Sequence, residues 1–396
     1  MLYEIDNGRL RLPETVHHLP NLLDLSVEEV LAAFCDSQVR DFDGVLTSLE
    51  SPGAPLHALF GELRALVPAD NPLHGLPLFR PGGVRALFHD LHGHVMGHPV
   101  WRHPFFVRFF AGEFTREQLE SFARNYFNQI KNTRQCVAMA IGRFHGVMGL
   151  PYGAASERVS ELTQIVLAQL VADEYGVGVH AVEDYPTLDR LLRAKTHIVM
   201  YRQIFDGLGI PFAEQDVPLL PGVADNVLIQ RMVASSPAFD ALEALASVGL
   251  GMEWGVPEFF SFLLGGVLRF AWKHDLPLTP EHVEVLTAHV KYDVMHAVSV
   301  MAVTALYIRG EDDVRRTKQA VNALMAGRYD MMSDLYRHVF GEPCAPLKEA
   351  GLEPRHRLRD RRFADELLRA RRAAAPEAVA GGEAWREGGD TPFVFA

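Results

Sequence analysis

Three residues at helical spacing form the pattern with the clearest chemical meaning, His289, Asp293 and His296, within a long apolar stretch. At 3.6 residues per turn they fall within about 60° of one another on one helix face. Burying two imidazoles and a carboxylate on an apolar face is costly unless they have partners. A bound cation offsets that cost, because metal ligands are used in their deprotonated forms. The pattern therefore predicts a metal site.

One helix cannot surround a metal ion, so other elements must supply further ligands. Glu253 is a lone acid in the apolar segment Gly-Leu-Gly-Met-Glu-Trp-Gly-Val-Pro. Pro257, four residues later, has no N–H, so the carbonyl of Glu253 loses its usual helical partner. This predicts a kink or bulge at Glu253, a common feature near functional sites.

A second candidate acid, Glu174, ends a predicted helix where Gly176 and Gly178 allow the chain to turn sharply. Two histidines follow it. His180 is close in sequence, and His197 stands near the start of the next helix. Either could complete a site with Glu174, and the residues alone leave both open.

The elements that must position these residues are helices, and strand-like alternation is nearly absent, so the predicted class is all-α. Thr115 and Gln118 form a capping box at one helix start. Thr279-Pro280-Glu281 supplies a cap, a proline and an acid at another. The predicted helices span about 115–146, 155–175, 188–208, 239–272, 279–308 and 312–340.

The sequence divides into three predicted regions. Residues 1–85 form an N-terminal helical extension without a catalytic pattern, in which Ser26 caps a helix. Residues 86–345 form the metal-binding helical bundle. Residues 346–396 form an Arg-rich helix, with eight Arg in 355–372, followed by a flexible tail. A solvated helix with local ion pairs is favoured for this basic segment over a site for an anionic partner.

Composition excludes several classes of protein. The 396 residues are 48% hydrophobic and 22% charged, which allows a sizeable core. A net charge of −12 argues against a nucleic-acid partner. No uninterrupted apolar run reaches the length of a membrane span, and no secretory signal precedes the first helices. Cys35, Cys136 and Cys344 are few and scattered, which predicts a reducing, cytoplasmic location without disulfides.

Several sequence segments, in their order along the chain, resemble those of the haem-oxygenase-like dinuclear iron oxidases. Relatives of that family include thiaminase II and pyrroloquinoline-quinone synthase. The resemblance covers about residues 98–310 and implies a haem-oxygenase-like up-down helical bundle. The segments that carry it are His103-Pro-Phe-Phe, Gly112-Glu-Phe-Thr-Arg-Glu-Gln-Leu119, Asn125-Tyr-Phe, Asp173-Glu174-x-Gly176-x-Gly178, Glu253-x3-Pro257 and His289-x3-Asp293-x2-His296.

The resemblance implies a ligand set for two iron ions. Glu174 and one histidine would bind the first ion, and Glu253 would bridge to the second, which the run from His289 to His296 would hold. The first-site histidine departs from the family pattern. His197 fits the helical context but follows an insertion, whereas His180 fits only the short spacing. We favour His197, with His180 as the alternative.

The implied activity is that of an O2-dependent non-haem oxidase or oxygenase with two Fe(II)/Fe(III) ions, manganese being the alternative metal. The substrate would be a small amino-acid- or fatty-acid-derived molecule of natural-product biosynthesis. An external electron donor and a homodimer are compatible with this reading.

Two chemistries occur in the family that the sequence resembles. C–H abstraction gives desaturation or C–C cleavage, and N-oxygenation converts an amine to a hydroxylamine or nitro product. N-oxygenases often carry an additional Glu in the preceding core helix. The Phe122–Gly142 segment has no obvious inward Glu, which favours C–H chemistry, whereas Glu157 and Glu161 keep N-oxygenation open.

Metal-free functions form a separate class of hypothesis. A cofactorless oxidase would need none of the proposed ligands. A thiaminase-like hydrolase needs a nucleophilic cysteine, for which Cys136 is the core candidate, although a buried apolar role fits it better. A binding protein could use the same scaffold, with the first 80 residues as an adaptor.

Overall fold

The structure is a computed structural model that describes ten stretches of the chain. The predicted helix capped by Ser26, the Arg-rich helix, the tail and His180 lie outside them, so the three predicted regions remain predictions. The described residues are 4–6, 9–11, 55–66, 69–70, 72–75, 80, 82–144, 152–177, 188–237 and 239–347.

The described part of the chain is all-α, as predicted, apart from one short hairpin. Its strands β1 (Glu4–Asp6) and β2 (Arg9–Arg11) pair antiparallel, with Ile5 opposite Leu10. The helices are α1 Pro55–Leu66, α2 Gly83–Met96, α3 Pro104–Phe110, α4 Arg116–Ile130, α5 Thr133–Ile141, α6 Ser156–Glu174, α7 Leu188–Leu192, α8 His197–Leu208, α9 Pro221–Ser235, α10 Ala241–Ala246, α11 Val256–Lys273, α12 Glu284–Ala305 and α13 Glu311–Phe340.

Short 3-10 turns join several of these helices, and one π-helical segment, Ser247–Glu253, links α10 to α11. Within the described residues, no helix combines the length and the apolar character that crossing a bilayer requires. The 3-10 turns are Pro72–Gly75, Pro99–Arg102, Gly142–Phe144, Gly153–Ala155, Phe212–Glu214 and Glu281–Val283.

The predicted capping box at the start of α4 is confirmed. Thr115 Oγ1 accepts the Gln118 N–H at 3.2 Å, and Gln118 Oε1 accepts the Thr115 N–H at 2.9 Å. The helix does not continue to residue 146 as predicted, because it is interrupted after Ile130. Asn132 stands at this interruption, where its side chain bonds to residues of α9.

Helix α12 lies at the centre of the bundle and packs against α6, α8, α11 and the π-helical segment. The packing explains why this helix can gather ligands from several neighbours. Gly249, in the π-helical segment, lies so close to Val300 of α12 that a Cβ there would come within 2.5 Å of its side chain. A larger residue at this position would push the segment away from α12.

An aromatic cluster fixes the helices around the site. Phe105 and Phe109 of α3 stack at 5.3 Å, and Phe122 of α4 packs on both. Phe106 meets Phe259 of α11 edge to face at 4.9 Å. Such pairs stabilise by about 0.5–1.5 kcal/mol beyond the apolar area that they bury, so α3, α4 and α11 form a rigid wall.

The predicted distortion at Glu253 is confirmed. The chain is π-helical over Ser247–Glu253, and α11 begins at Val256 with Pro257 near its N-terminus. The missing N–H of Pro257 therefore has the expected consequence. The continuous helix predicted over 239–272 is divided into α10, the π-helical segment and α11.

The helix α9 is absent from the predicted set. Most of its residues are buried, on all sides of the helix, so its sequence shows no separate polar and apolar faces. The predicted 188–208 helix is also divided. Four residues separate α7 from α8, and the left-handed Gly209 ends α8 as expected.

Candidate metal centre

The six predicted metal ligands converge from four elements. Glu174 is the last residue of α6, His197 the first of α8, and Glu253 the last of the π-helical segment. The other three come from α12. The side chains form two groups, within each of which potential ligand atoms lie no more than 4.8 Å apart. The first group is Glu174, His197 and His289, and the second is Glu253, Asp293 and His296.

In the first group, two histidine nitrogens lie close to one carboxylate oxygen of Glu174. His197 Nδ1 lies 3.0 Å from Glu174 Oε1, and His289 Nε2 lies 4.0 Å from the same oxygen. The two imidazole rings are 4.5 Å apart. His197 Nδ1 is nonetheless buried without a hydrogen-bond partner in the described residues. A cation between these atoms would give each nitrogen and oxygen a partner.

A glycine brings Glu174 and His197 together although 22 residues separate them. Gly176 has φ of +67°, and a Cβ there would lie 2.4 Å from the carbonyl oxygen of Lys195. Only glycine allows this close approach between the end of α6 and the residues before α8. Thr196 then caps α8 by accepting the Val199 N–H at 3.2 Å, which fixes His197 at the helix start.

Electrostatics in the first group match metal ligands. Burial raises the pKa of the Glu174 carboxyl, but His197 outweighs burial, so the pKa lies below its usual value and the group is a carboxylate. Burial lowers the pKa of His197, but its interactions with Glu174 and the charge of Asp293 together outweigh burial and raise it. The carbonyl end of α6 adds partial negative charge beside Glu174, which favours a cation.

His289 is held in one tautomer. Its Nδ1–H donates to the carbonyl oxygen of Val285 at 2.6 Å, because a carbonyl can only accept. Burial lowers the pKa of His289, so the ring is neutral and Nε2 carries the free lone pair toward Glu174. Phe260 stacks on this ring at 4.2 Å and 8°. Outer contacts of this kind orient histidine ligands in metal sites.

In the second group, His296 Nδ1 lies 3.2 Å from Asp293 Oδ1 and 4.0 Å from Glu253 Oε2. The other ring nitrogen, Nε2, donates to Asp173 Oδ2 at 3.0 Å. Burial opposes ionisation of Asp173, but its interactions with His296 and the bond from Gln169 together outweigh burial and lower the pKa. The sequence pattern gave no role to Asp173, the neighbour of Glu174. Because Asp173 binds Nε2 of His296, Nδ1 of the same ring faces the carboxylates of Glu253 and Asp293.

The second group concentrates negative charge in a dry environment. Burial and the neighbouring Asp293 raise the pKa of Glu253 well above its usual value. Burial lowers the pKa of His296, but the bond to Asp173 and the nearby carboxylates of Asp293 and Glu253 together outweigh burial and raise the pKa to about 11. Without a metal, protons therefore balance the buried acids. A cation would replace those protons.

The residues fit a metal because buried ligand atoms lack partners. Glu253 and Asp293 are each 2% exposed. Glu253 Oε1, Asp293 Oδ2 and His296 Nδ1 have no hydrogen-bond partner within the described residues. Orphaned buried oxygens are rare in native proteins and call for an explanation such as an ion. Carboxylates and imidazoles without thiolates suit iron or manganese.

The grouping differs from the expected one at His289. The resemblance implied that His289, Asp293 and His296 share the second ion, but His289 lies with Glu174 and His197. Helical rise explains the correction, since seven residues place His289 and His296 about 10 Å apart along α12. Asp293 stands between them and interacts electrostatically with both histidines of the first group. Asp293, rather than Glu253 alone, is thus positioned between the two groups.

A small, partly open cavity of about 30 Å³ adjoins both groups. Glu174, Glu253, His289 and Asp293 contribute to its wall. The apolar lining comes from Ile130, Met252, Val256, Phe259, Phe260 and Met331, and the remaining polar lining from Tyr126, Gln129, Thr133, Gln230 and Arg328.

Two polar residues of this lining were not predicted. Gln230 lies on α9, a helix that the sequence did not reveal. Arg328 lies in α13 among many charged residues, where its sequence context is that of a surface arginine. It is 7% exposed. No signal in the sequence separates it from its exposed neighbours.

Three residues that the sequence offered for alternative chemistries lie away from the site. Glu157 and Glu161 of α6 are exposed and do not line the cavity. Cys136 is fully buried, accepts a contact from Asn132 Nδ2 at 3.3 Å and is not among the described cavity-lining residues. Burial raises the pKa of its thiol to about 12, so the sulfur is protonated.

The histidines at 89–103 make other contacts. His98 and His103 each accept a backbone N–H through Nδ1 at 3.1 Å, as caps of the short helices that follow them. His92 Nδ1 accepts the Trp254 indole N–H at 3.0 Å. These contacts explain part of the histidine richness of this segment without an ion.

No protein-family model and no curated protein matches this chain. Among solved structures, the chain is similar to a TenA homolog from Pseudomonas syringae pv. tomato. The identity is 12% and the TM-score 0.46, over 64% of this chain and 92% of that chain. The case for a metal centre therefore stands on the residues of this chain.

Proposed function

We propose that this protein is an O2-dependent non-haem dinuclear iron oxidase or oxygenase of the haem-oxygenase-like class. The observation that carries the proposal is the pair of adjoining three-residue groups, in which buried carboxylate oxygens and imidazole nitrogens lack partners. Glu174, His197 and His289 would hold one ion. Glu253, Asp293 and His296 would hold the other.

A pair of iron(II) ions supplies the electrons for activating O2. The side chains around them supply position and protection. Val285 holds Nδ1 of His289 protonated, so that Nε2 is available as a ligand. Asp173 accepts the Nε2–H of His296, so that Nδ1 of this ring is available as a ligand. The aromatic and methionine lining excludes water from the cavity, which protects reactive species from side reactions.

The substrate would be a small amino-acid- or fatty-acid-derived molecule, and the reaction C–H abstraction that leads to desaturation or C–C cleavage. The lining from α4 and α5 comprises Tyr126, Gln129, Ile130 and Thr133, without an acid. This favours C–H chemistry over N-oxygenation, which the resemblance associates with an additional Glu. The proposed reaction is also compatible with manganese in place of iron and with an external electron donor.

The thiaminase-like alternative requires an activated cysteine, and the environment of Cys136 opposes it. Reactive thiolates have a lowered pKa at exposed, electropositive sites, whereas Cys136 is buried with a raised pKa. A cofactorless oxidase would leave the six convergent side chains without a purpose. A metal-free binding function would leave the same groups unexplained.

The test is to load the protein with Fe(II) under anaerobic conditions, remove free metal and expose it to O2. We expect the loaded protein to consume O2 faster when a suitable substrate is present. His296→Ala protein, checked for folding by circular dichroism, should lose this consumption. Metal-free wild-type protein that turns over substrate with O2 at the same rate would establish a cofactorless oxidase instead.

A further inference from the structure

Arg328 is a buried cation whose hydrogen-bonding capacity is largely unused. Its Nη2 donates a long bond of 3.4 Å to the carbonyl oxygen of Met252, and its Nη1 is buried without a partner in the described residues. The guanidinium lies 5.5 Å from the ring centre of Phe259 and lines the cavity beside the metal centre. Buried arginines normally meet a carboxylate or several acceptors.

A second donor faces the same cavity, and its orientation follows from a chain of hydrogen bonds. Arg231 Nε can only donate, and it bonds to Asn132 Oδ1 at 2.6 Å. The Asn132 amide nitrogen then donates to Gln230 Oε1 at 2.8 Å. Gln129 Nε2 donates to the same oxygen at 2.9 Å. With its oxygen occupied twice, Gln230 has only its amide N–H groups left for the cavity that it lines.

The cavity wall thus carries an unpartnered guanidinium nitrogen and an amide donor on one part, and carboxylates on another. Two divalent cations and three ligand carboxylates leave an excess of positive charge, and Arg328 adds to it. An anion with two acceptor oxygens would satisfy the guanidinium and the Gln230 amide together. A carboxylate matches this need, since it accepts from a guanidinium in a planar, bidentate way. A doubly charged phosphate would be costlier to desolvate here.

We propose that Arg328 and Gln230 bind the carboxylate of a monocarboxylic substrate, whose carbon chain then lies beside the metal centre. This inference rests on the proposed function for its catalytic meaning and for the positive charge of the bound ions, whereas the donor groups of Arg328 and Gln230 are present with or without metal. The carboxylate would anchor the substrate and would place a carbon near the anchor next to the ligand groups. Met252 and Met331 of the lining are flexible and could yield space for the chain.

The experiment is isothermal titration calorimetry with butanoate and hexanoate, compared with butanamide and hexanamide, on Fe(II)-loaded and metal-free protein. We expect wild-type protein to bind each carboxylate about 10-fold or more tightly than its amide. Arg328→Met should weaken carboxylate binding about 10- to 100-fold and leave amide binding unchanged, the range for a bond to a charged group. Arg337→Met, on the exposed side of the same helix, is the matched control.

Arg328→Lys keeps the charge without the planar fork and should retain part of the carboxylate preference. If Arg328→Met does not fold, the carboxylate affinity of Arg328→Lys tests the role of Arg328 instead. Equal binding of carboxylates and amides to wild-type protein, no binding of either carboxylate, or unchanged binding in both Arg328 variants would overturn the proposal. Tighter binding of inorganic phosphate than of butanoate would overturn the choice of carboxylate.

Metal content, measured on the same samples, separates this inference from the proposed function. Protein that binds iron but shows no carboxylate preference refutes the anion site alone. Protein that binds no metal but prefers carboxylates through Arg328 refutes the dinuclear enzyme and leaves the anion site standing.

Discussion

Two buried polar regions of this protein meet at one cavity but are built in opposite ways. The first, which we call the amide relay, consists of Asn226, Gln129, Gln230, Asn132 and Arg231. Asn226 donates to Gln129 at 2.7 Å, Gln129 to Gln230, and Asn132 to the same Gln230 oxygen. Arg231 closes the relay by donating to Asn132. Side chain meets side chain along its whole length.

The second region is the candidate metal centre, where carboxylates lie beside one another. Glu253 and Asp293 are both acids, and an oxygen of each has no partner. His197 and His296 each direct an unpartnered nitrogen toward a carboxylate oxygen 3.0–3.2 Å away. Most polar groups of the relay are thus paired with one another, although Asn226 Oδ1 is buried without a partner in the described residues. The contrast indicates that the centre is arranged for a ligand rather than for stability.

The strongest way to break this contrast is to remove the acid between the two groups. Asp293→Ala should lower the affinity for at least one ion by about 1000-fold or more, beyond the 10- to 100-fold typical of outer contacts. Folding should survive, because the change also removes an unpartnered buried oxygen. Metal titration with inductively coupled plasma analysis measures this. Asp293→Ala protein with full metal content would remove Asp293 from the ligand set.

The complementary change is in the relay. Asn132→Ala removes one hydrogen-bond partner from Arg231 and one from Gln230, and it should destabilise the protein by about 1–3 kcal/mol, the range for losing buried polar partners. Metal content should be unchanged. Urea denaturation measures the free energy of unfolding. A loss of metal without a loss of stability would show that the two regions are not distinct.

A smaller effect is expected from the residue that orients His296. Asp173→Asn cannot accept the imidazole proton as a carboxylate does, and metal affinity should fall about 10- to 100-fold. Glu157→Gln, an exposed change in the same helix, should leave the affinity unchanged. A competition titration against a chelator of known affinity gives both values. Equal affinities would mean that Asp173 does not orient the ligand.

The smallest change concerns stability without metal. Because the pKa of Glu253 is raised in the folded state, the folded protein keeps a proton that the unfolded chain releases above pH 4.5. Stability of the metal-free protein is therefore expected to fall as the pH rises above 4.5. Glu253→Gln removes this dependence and should be more stable than wild type by about 1 kcal/mol or more at pH 7.

Thermal denaturation of chelator-treated proteins at pH 5 and pH 8 checks this. The advantage of Glu253→Gln should be larger at pH 8. An advantage that is independent of pH would assign the effect to packing rather than to the ionisation of Glu253.

The sequence predicted what local physics determines. Capping residues located helix starts such as Thr115, and the missing N–H of Pro257 located the distortion at Glu253. The spacing from His289 to His296 identified one helix face. These features depend on neighbours in sequence, so they can be read from the chain itself.

Features that depend on tertiary packing could not be predicted in this way. Helix α9 is buried on all sides and shows no periodic polar face. Arg328 resembles the exposed arginines of α13 until its neighbours are known. The resemblance grouped His289 with Asp293 and His296, but its side chain lies in the first group, because the separation along α12 and the position of α8 decide the grouping. Gly176 is an example of such packing, because its close approach to Lys195 brings a segment that is distant in sequence next to Glu174.

The most direct test of the central claim is the iron content of the protein after anaerobic Fe(II) titration and removal of free metal. We expect two ions per chain for wild type, one for each group of ligands. His197→Ala and His296→Ala should each lose one ion, and the double variant should lose both. Wild-type protein that binds no iron, or whose iron content is unchanged in the double variant, would contradict the account.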